Sequence, residues 1–192
     1  MVTRDKDCYL MPQDNDHISS DESLVKAIVN GDAESFKQFY FKYFPSLIRY
    51  ALYHTHSMDL SCEMVQELFT RIWIKRNLLN PQKSVKAYIY KALHNIIINE
   101  KMLHSSRNIS LENLKRDRDS GDNADIDLKI DAAEALNSLP EKIKTVYLLN
   151  RSEGFKYREI AEICNISEKA VEKRMSKAIS ILKKKFPLKY FR

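Results

Sequence analysis

Glycine occurs at only three of the 192 positions, Gly31, Gly121 and Gly154. Phosphate-cradling loops and dinucleotide fingerprints need several glycines within a few residues, so neither fits this chain. The same scarcity points to a mostly helical chain and away from a nucleotide-dependent enzyme. Apolar residues recur at three- and four-residue spacing over long stretches, which is the period of amphipathic helices.

Other classes are excluded as simply. No stretch approaches the roughly 18 uncharged apolar residues of a membrane span. Residues 1–7 have no apolar core behind them, so no signal peptide is expected. The cysteines Cys8, Cys62 and Cys164 are far apart and odd in number. Neither a disulfide framework nor a zinc site is expected, and reduced thiols in a cytoplasmic protein are the plain reading. His54 and His56 are two apart, and side chains at that spacing do not face each other on a helix. No metal ligands and no catalytic residues are predicted.

The net charge is +6, and it is unevenly placed. Residues 1–21 carry −3, 22–104 carry +4, 105–130 carry −1 and 131–192 carry +6. Two basic blocks separated by a neutral to acidic segment suit two modules that touch a polyanion, although solubility charge alone produces such a balance too. The polar tail 1–21 cannot bury enough to order itself. The Ser/Asn/Asp/Gly-rich stretch near 119–125 marks 105–130 as a linker, with a short helix or turn near Leu111 and Leu114.

In the first block, Ser20 or Asp21 is positioned to cap a helix bearing Leu24, Val25, Ile28 and Val29. Gly31-Asp32 breaks it. A long aromatic-faced helix follows through Phe36, Phe39, Tyr43, Phe44 and Leu47. Pro45 inside the pattern predicts a bend or a new start. Residues 57–61 read as a polar break before a helix that starts at Cys62. Its apolar face holds Val65, Leu68, Phe69 and Ile72, and its polar face shows Gln66, Glu67, Thr70 and Arg71. A third helix, ordered by Val85, Ile89, Leu93 and Ile96, carries Lys86, Lys91, His94, Asn95 and Asn99 on its polar side. Lysines, amides and aromatics on one helix suit single-stranded nucleic acid. For Tyr88 and Tyr90 taken singly, a core or rim position is the plainer reading.

In the second block, Ala132 to Leu139 reads as a short helix, followed by Pro140 and an apolar run through Val146 and Leu149. After Glu153-Gly154 comes a short helix at 157–163, a turn at Cys164-Asn165-Ile166 and a Ser167 N-cap. Val171, Met175, Ala178, Ile179 and Leu182 then mark a further helix. This spacing is a helix-turn-helix. Small Ala161 allows close approach, and Ile160, Ile166, Val171 and Met175 pack between the two helices. The second helix leaves Glu168, Lys169, Glu172, Lys173, Ser176 and Lys177 on or near its open face, suited to a major groove. Lys183, Lys184, Lys185, Lys189 and Arg192 add a basic flank. Glu153, Glu159 and Glu162 read as a solvated helix and its approach, not as an acid/base pair.

Three stretches, "MVQELFTRIW", "KAYIYKALHNIIINE" and "LPEKIKTVYLLNRSEGFKYREIAEICNISEKAVEKRMSKAISIL", resemble the extracytoplasmic-function (ECF) sigma factors of the sigma-70 family of bacterial RNA polymerase. The likeness spans roughly residues 22–186. It implies an all-α chain of two small helical domains, a region 2 bundle at 22–104 and a region 4 helix-turn-helix at 131–192, joined by a flexible linker at 105–130. It implies docking on core RNA polymerase through Val65, Gln66, Glu67 and Arg71. It implies minus-ten recognition and melting through Lys86, Lys91, Asn95 and Asn99. Minus-thirty-five recognition falls to Lys169, Glu172, Lys173, Ser176 and Lys177. The recognition helix varies greatly in the family, so these identities locate the site and not the promoter sequence. Glu63 stands where the family often has Asp, and Asn165 where it often has Gly.

Such a protein needs no cofactor and no small-molecule substrate. Its partners would be core RNA polymerase, promoter DNA and a membrane-anchored anti-sigma factor. A dimeric regulator with the same helix-turn-helix is the alternative, and it requires a palindromic site. An enzyme acting on nucleic acid would need a metal or carboxylate cluster that the residues do not assemble.

Overall fold

The computed structural model describes residues 20–107 and 135–185, with side chains described through 103 and 184. The expected tail up to residue 19, the body of the linker, the turn near Leu111, the pair Ala132-Ala133, and Lys189 and Arg192 lie outside these residues; the tail's last two residues, Ser20 and Asp21, instead open the first helix. The chain divides into two compact units, Met1–Ile98 and Asn99–Arg192.

In the first unit, α1 spans Asp21–Val29. Ser20 caps it, its hydroxyl oxygen accepting from the Ser23 N–H at 3.2 Å. The helix stops at Asn30 and Gly31, where φ is +86°, a region open to glycine without a Cβ clash. Asp32 then caps α2, Ala33–Thr55, by accepting from the N–H groups of Glu34 and Ser35. The Ser35 contacts hold the Asp32 carboxyl below its ordinary range.

Pro45 does not begin a new helix. It lies within α2, which is continuous across it. The proline removes one backbone bond, and the buried side chains on both sides, Phe39, Tyr43, Phe44 and Leu47, keep the helix in register.

The expected break at 57–61 shrinks to His56 and Ser57. His56 ends α2 in the left-handed conformation, and Ser57 caps α3, Met58–Ile74. Helix α3 therefore starts four residues before Cys62. Ser61 is buried rather than exposed, its hydroxyl bonded to the Ser57 carbonyl and to Thr55 Oγ1.

A 3-10 turn at Arg76–Leu78 precedes α4, Val85–Arg107. Helix α4 runs three residues into the segment expected as linker. The core of this unit is aromatic. Phe69 of α3 meets Phe36, Phe39 and Tyr40 of α2 with ring centroids 4.6–6.1 Å apart. Trp73 lies between Phe36 and the Arg76 guanidinium.

In the second unit, a helical turn at 135–137 leads to α5, Glu141–Arg151, then α6, Tyr157–Cys164, and α7, Glu168–Lys185. Gly154, at φ +75°, turns the chain out of α5. The Asn150 side-chain amide donates to the Phe155 carbonyl at 2.9 Å and ties that turn shut. Asn165 adopts the left-handed conformation, φ 52° and ψ 53°, and the Ile166 N–H returns to the Ala161 carbonyl. This closes α6, and the Ser167 hydroxyl oxygen opens α7 by accepting from the Ala170 N–H. Leu148, Leu149, Ile160, Val171, Met175 and Ala178 are buried and hold the three helices together. Each fully buried leucine or valine of this kind contributes about 2 kcal/mol.

Candidate functional site

Helix α7 buries Val171, Met175, Ala178 and Leu182 on one side. The opposite side exposes Lys169, Glu172, Lys173, Ser176 and Lys177. Their spacing of three and four places all five on one face. The αL turn at Asn165 and the Ser167 cap aim the start of α7 away from α6, the arrangement by which a second helix enters a groove. Burial pushes the thiol of Cys164, beside the turn, up to about 11, against an opposing effect of the Arg174 guanidinium.

Two acidic residues of this unit differ from the expected solvated set. Glu153 is buried. Glu159 folds back to accept from the Lys156 N–H at 2.8 Å, which caps α6. Only Glu162 is a plain surface residue, 3.7 Å from Arg158.

Helix α4 buries Val85, Ile89, Leu93, Ile96 and Ile97 and exposes Lys91, Asn95 and Asn99 at four-residue spacing. Lys86 stands apart from that row. It is half-buried, with its ammonium 6.0 Å from the centroid of the Tyr90 ring. The two tyrosines separate cleanly: Tyr90 is 0% exposed and Tyr88 is 41% exposed. Tyr88 lies three residues before Lys91 and seven before Asn95, so an exposed ring shares their face. His94, expected on the polar side, is buried, and Nδ1 of its ring lies 3.2 Å from the Tyr50 hydroxyl. The aromatic core of α2 reaches it, which helix periodicity alone did not reveal.

Helix α3 exposes Gln66, Glu67 and Arg71, with Arg71 paired to Glu67 one turn earlier. Val65 corrects the expected docking set: it is 0% exposed, packed with the core, and cannot itself meet a partner. Ile74 and Leu78, just beyond, are largely exposed, and the periodicity assigned them no role.

Residues 130–182 match the family model of sigma-70, region 4. The chain is 25% identical over 139 residues to RNA polymerase sigma factor SigV of Bacillus subtilis (strain 168), covering 70% of this chain and 81% of that protein. Two solved structures share the fold. CnrH, solved in complex with the cytosolic domain of CnrY, gives a TM-score of 0.65 at 19% identity, covering 86% of this chain and 96% of that one. The sigma factor RpoE, solved with the anti-sigma factor NepR from Bartonella quintana, gives 0.65 at 21%, covering 82% and 99%.

Residues 130–182 thus carry sigma-70 region 4, and over 139 residues the chain is similar to a sigma factor of RNA polymerase. The region 4 match lies over the helix-turn-helix and includes the exposed face of α7. That face is built of three lysines, one serine and one carboxylate. Among the described residues no helix is long and apolar enough to cross a membrane.

Proposed function

We propose that this chain is an ECF sigma factor of the sigma-70 family, which binds core RNA polymerase through the Gln66, Glu67 and Arg71 face of α3 and directs initiation at promoters with two recognition elements. In this reading, Lys91, Asn95 and Asn99 of α4 engage the minus-ten element, with Lys86 at the margin. Lys169, Glu172, Lys173, Ser176 and Lys177 of α7 engage the minus-thirty-five element. Region 2 corresponds to 22–104, region 4 to 131–192 and the linker to 105–130.

The observation that carries this reading is that each of two units exposes its own lysine-bearing helix face, joined by amides on α4. One-site DNA binders need only the helix-turn-helix. A second such face on α4, with Tyr88 exposed beside Lys91 and Asn95, suits bases that have left the duplex. Melting needs no chemistry from the protein, because unstacking a base costs a few kcal/mol that binding can offset.

Both CnrH and RpoE were solved with a bound protein partner, for RpoE an anti-sigma factor. An anti-sigma factor anchored in a membrane is accordingly proposed as the regulator of this chain. The test of the function is run-off transcription on genomic fragments with core polymerase, with and without the chain. Discrete new transcripts are expected. Absence of transcripts, with sequence-specific binding by the chain alone, overturns the proposal in favour of a dimeric regulator.

A further inference from the structure

We propose that Glu172 reads a cytosine in the upstream promoter element. The inference rests on the minus-thirty-five reading of α7 and adds a base to it.

Among the described residues from α5 onward, the other carboxylates are enclosed, as Glu153 is, or have local roles. Glu141 lies 3.6 Å from the Lys144 ammonium. Glu159 caps α6, and Glu162 lies near Arg158. Glu168 occupies the first turn of α7, where the helix dipole favours a negative charge. Glu172 has no such role. It lies past the first turn, is exposed, and among the described residues has no hydrogen-bond or ion-pair partner. Beside it Lys169, Lys173 and Lys177 form an exposed row at four-residue spacing.

A bare carboxylate on a face that approaches phosphates weakens binding to every sequence by like-charge repulsion. Contact with a base donor offsets that loss. An ionised carboxylate only accepts hydrogen bonds. In the major groove the available donors are the amino groups of cytosine and adenine. Adenine sets its N7 acceptor beside the amino group, and N7 repels a carboxylate. Cytosine offers its N4 amino group with no such acceptor on its own major-groove edge. Glu172 is also placed for base contact, one turn into a helix whose N-terminal residues meet base edges in this motif.

The test uses holoenzyme reconstituted from core polymerase and the full chain, selecting from a duplex pool of random sequence. Wild-type holoenzyme is expected to enrich an upstream element containing a C·G pair. Glu172→Ala should flatten the preference at that pair by about tenfold and leave the other positions unchanged. Glu172→Gln should move the preference there toward adenine, which an amide reads through N6 and N7. A uniform change across all sequences with Glu172→Ala overturns the proposal and makes Glu172 a repulsive surface charge. Loss of preference at an adenine instead overturns the cytosine assignment. Wild-type holoenzyme that enriches a downstream element but no upstream one overturns the minus-thirty-five reading itself, and this inference with it.

Discussion

The Tyr50 hydroxyl lies 3.2 Å from Nδ1 of His94, joining buried side chains of α2 and α4 that are 44 positions apart in the chain. His94 immediately precedes Asn95. The contact therefore pins the rotation of α4 at the point where its exposed amide row is presented. Tyr50→Phe should lower stability by about 1 kcal/mol, read by denaturant unfolding. An unchanged midpoint would show that the hydroxyl contributes nothing. Asn95→Ala, on the exposed side, should leave stability and core affinity intact while slowing promoter opening. Equal loss of opening and core affinity would point to a folding defect instead.

The proposed docking face of α3 predicts a different split. Gln66→Ala combined with Arg71→Ala should weaken affinity for core polymerase about tenfold, about 1.4 kcal/mol. The intrahelical pair Arg71–Glu67 is exposed, so its loss alone costs little stability. Fluorescence titration of labelled chain with core polymerase measures the change, and unaltered affinity would move docking to another surface.

Lys173 separates base reading from charge. Lys173→Ala should reduce binding chiefly at sequences carrying the preferred minus-thirty-five element. If the loss is uniform across sequences, and the salt dependence of binding falls by about one phosphate contact, Lys173 is a backbone contact.

Asn165 tests the turn. Its φ of 52° costs most L-residues about 1 kcal/mol or more, and asparagine and glycine much less. Asn165→Ala should lower the thermal midpoint, and Asn165→Gly should match or exceed the original. Equal midpoints for alanine and glycine would mean that the turn adjusts without strain.

Cys164 tests burial. Its folded thiol is held at about 11, above the ordinary 9.0, so folding favours the neutral form. That contribution is present below about pH 9 and is lost as pH rises toward about 11. At about pH 8, alkylation of Cys164 in the folded chain should be at least about tenfold slower than in denaturant. Equal rates, read by mass spectrometry, would contradict the burial.

Much of the fold was legible along the chain. Helices with strong local signals appeared where the periodicity put them, with Ser20 and Ser167 as caps and Asn165 as the left-handed turn residue. The five α7 residues were also legible, because a face opposite Val171 and Met175 follows from helix geometry alone. Less legible were positions where neighbouring helices decide. Pro45 reads as an interruption, yet aromatic packing carries α2 across it. His94 reads as polar surface, yet Tyr50 takes it inward. Val65 reads as part of a docking face, yet core packing covers it completely.

By itself, then, the amino-acid order determined which segments are helical, where they are capped and which residues share a face, because those are matters of local spacing and hydrogen bonding. Only the tertiary structure decided which polar faces stay open: Tyr88 out and Tyr90 in, Glu172 bare while Glu153 is enclosed. Burial depends on what packs against a helix from distant parts of the chain, and no periodicity within the helix carries that information.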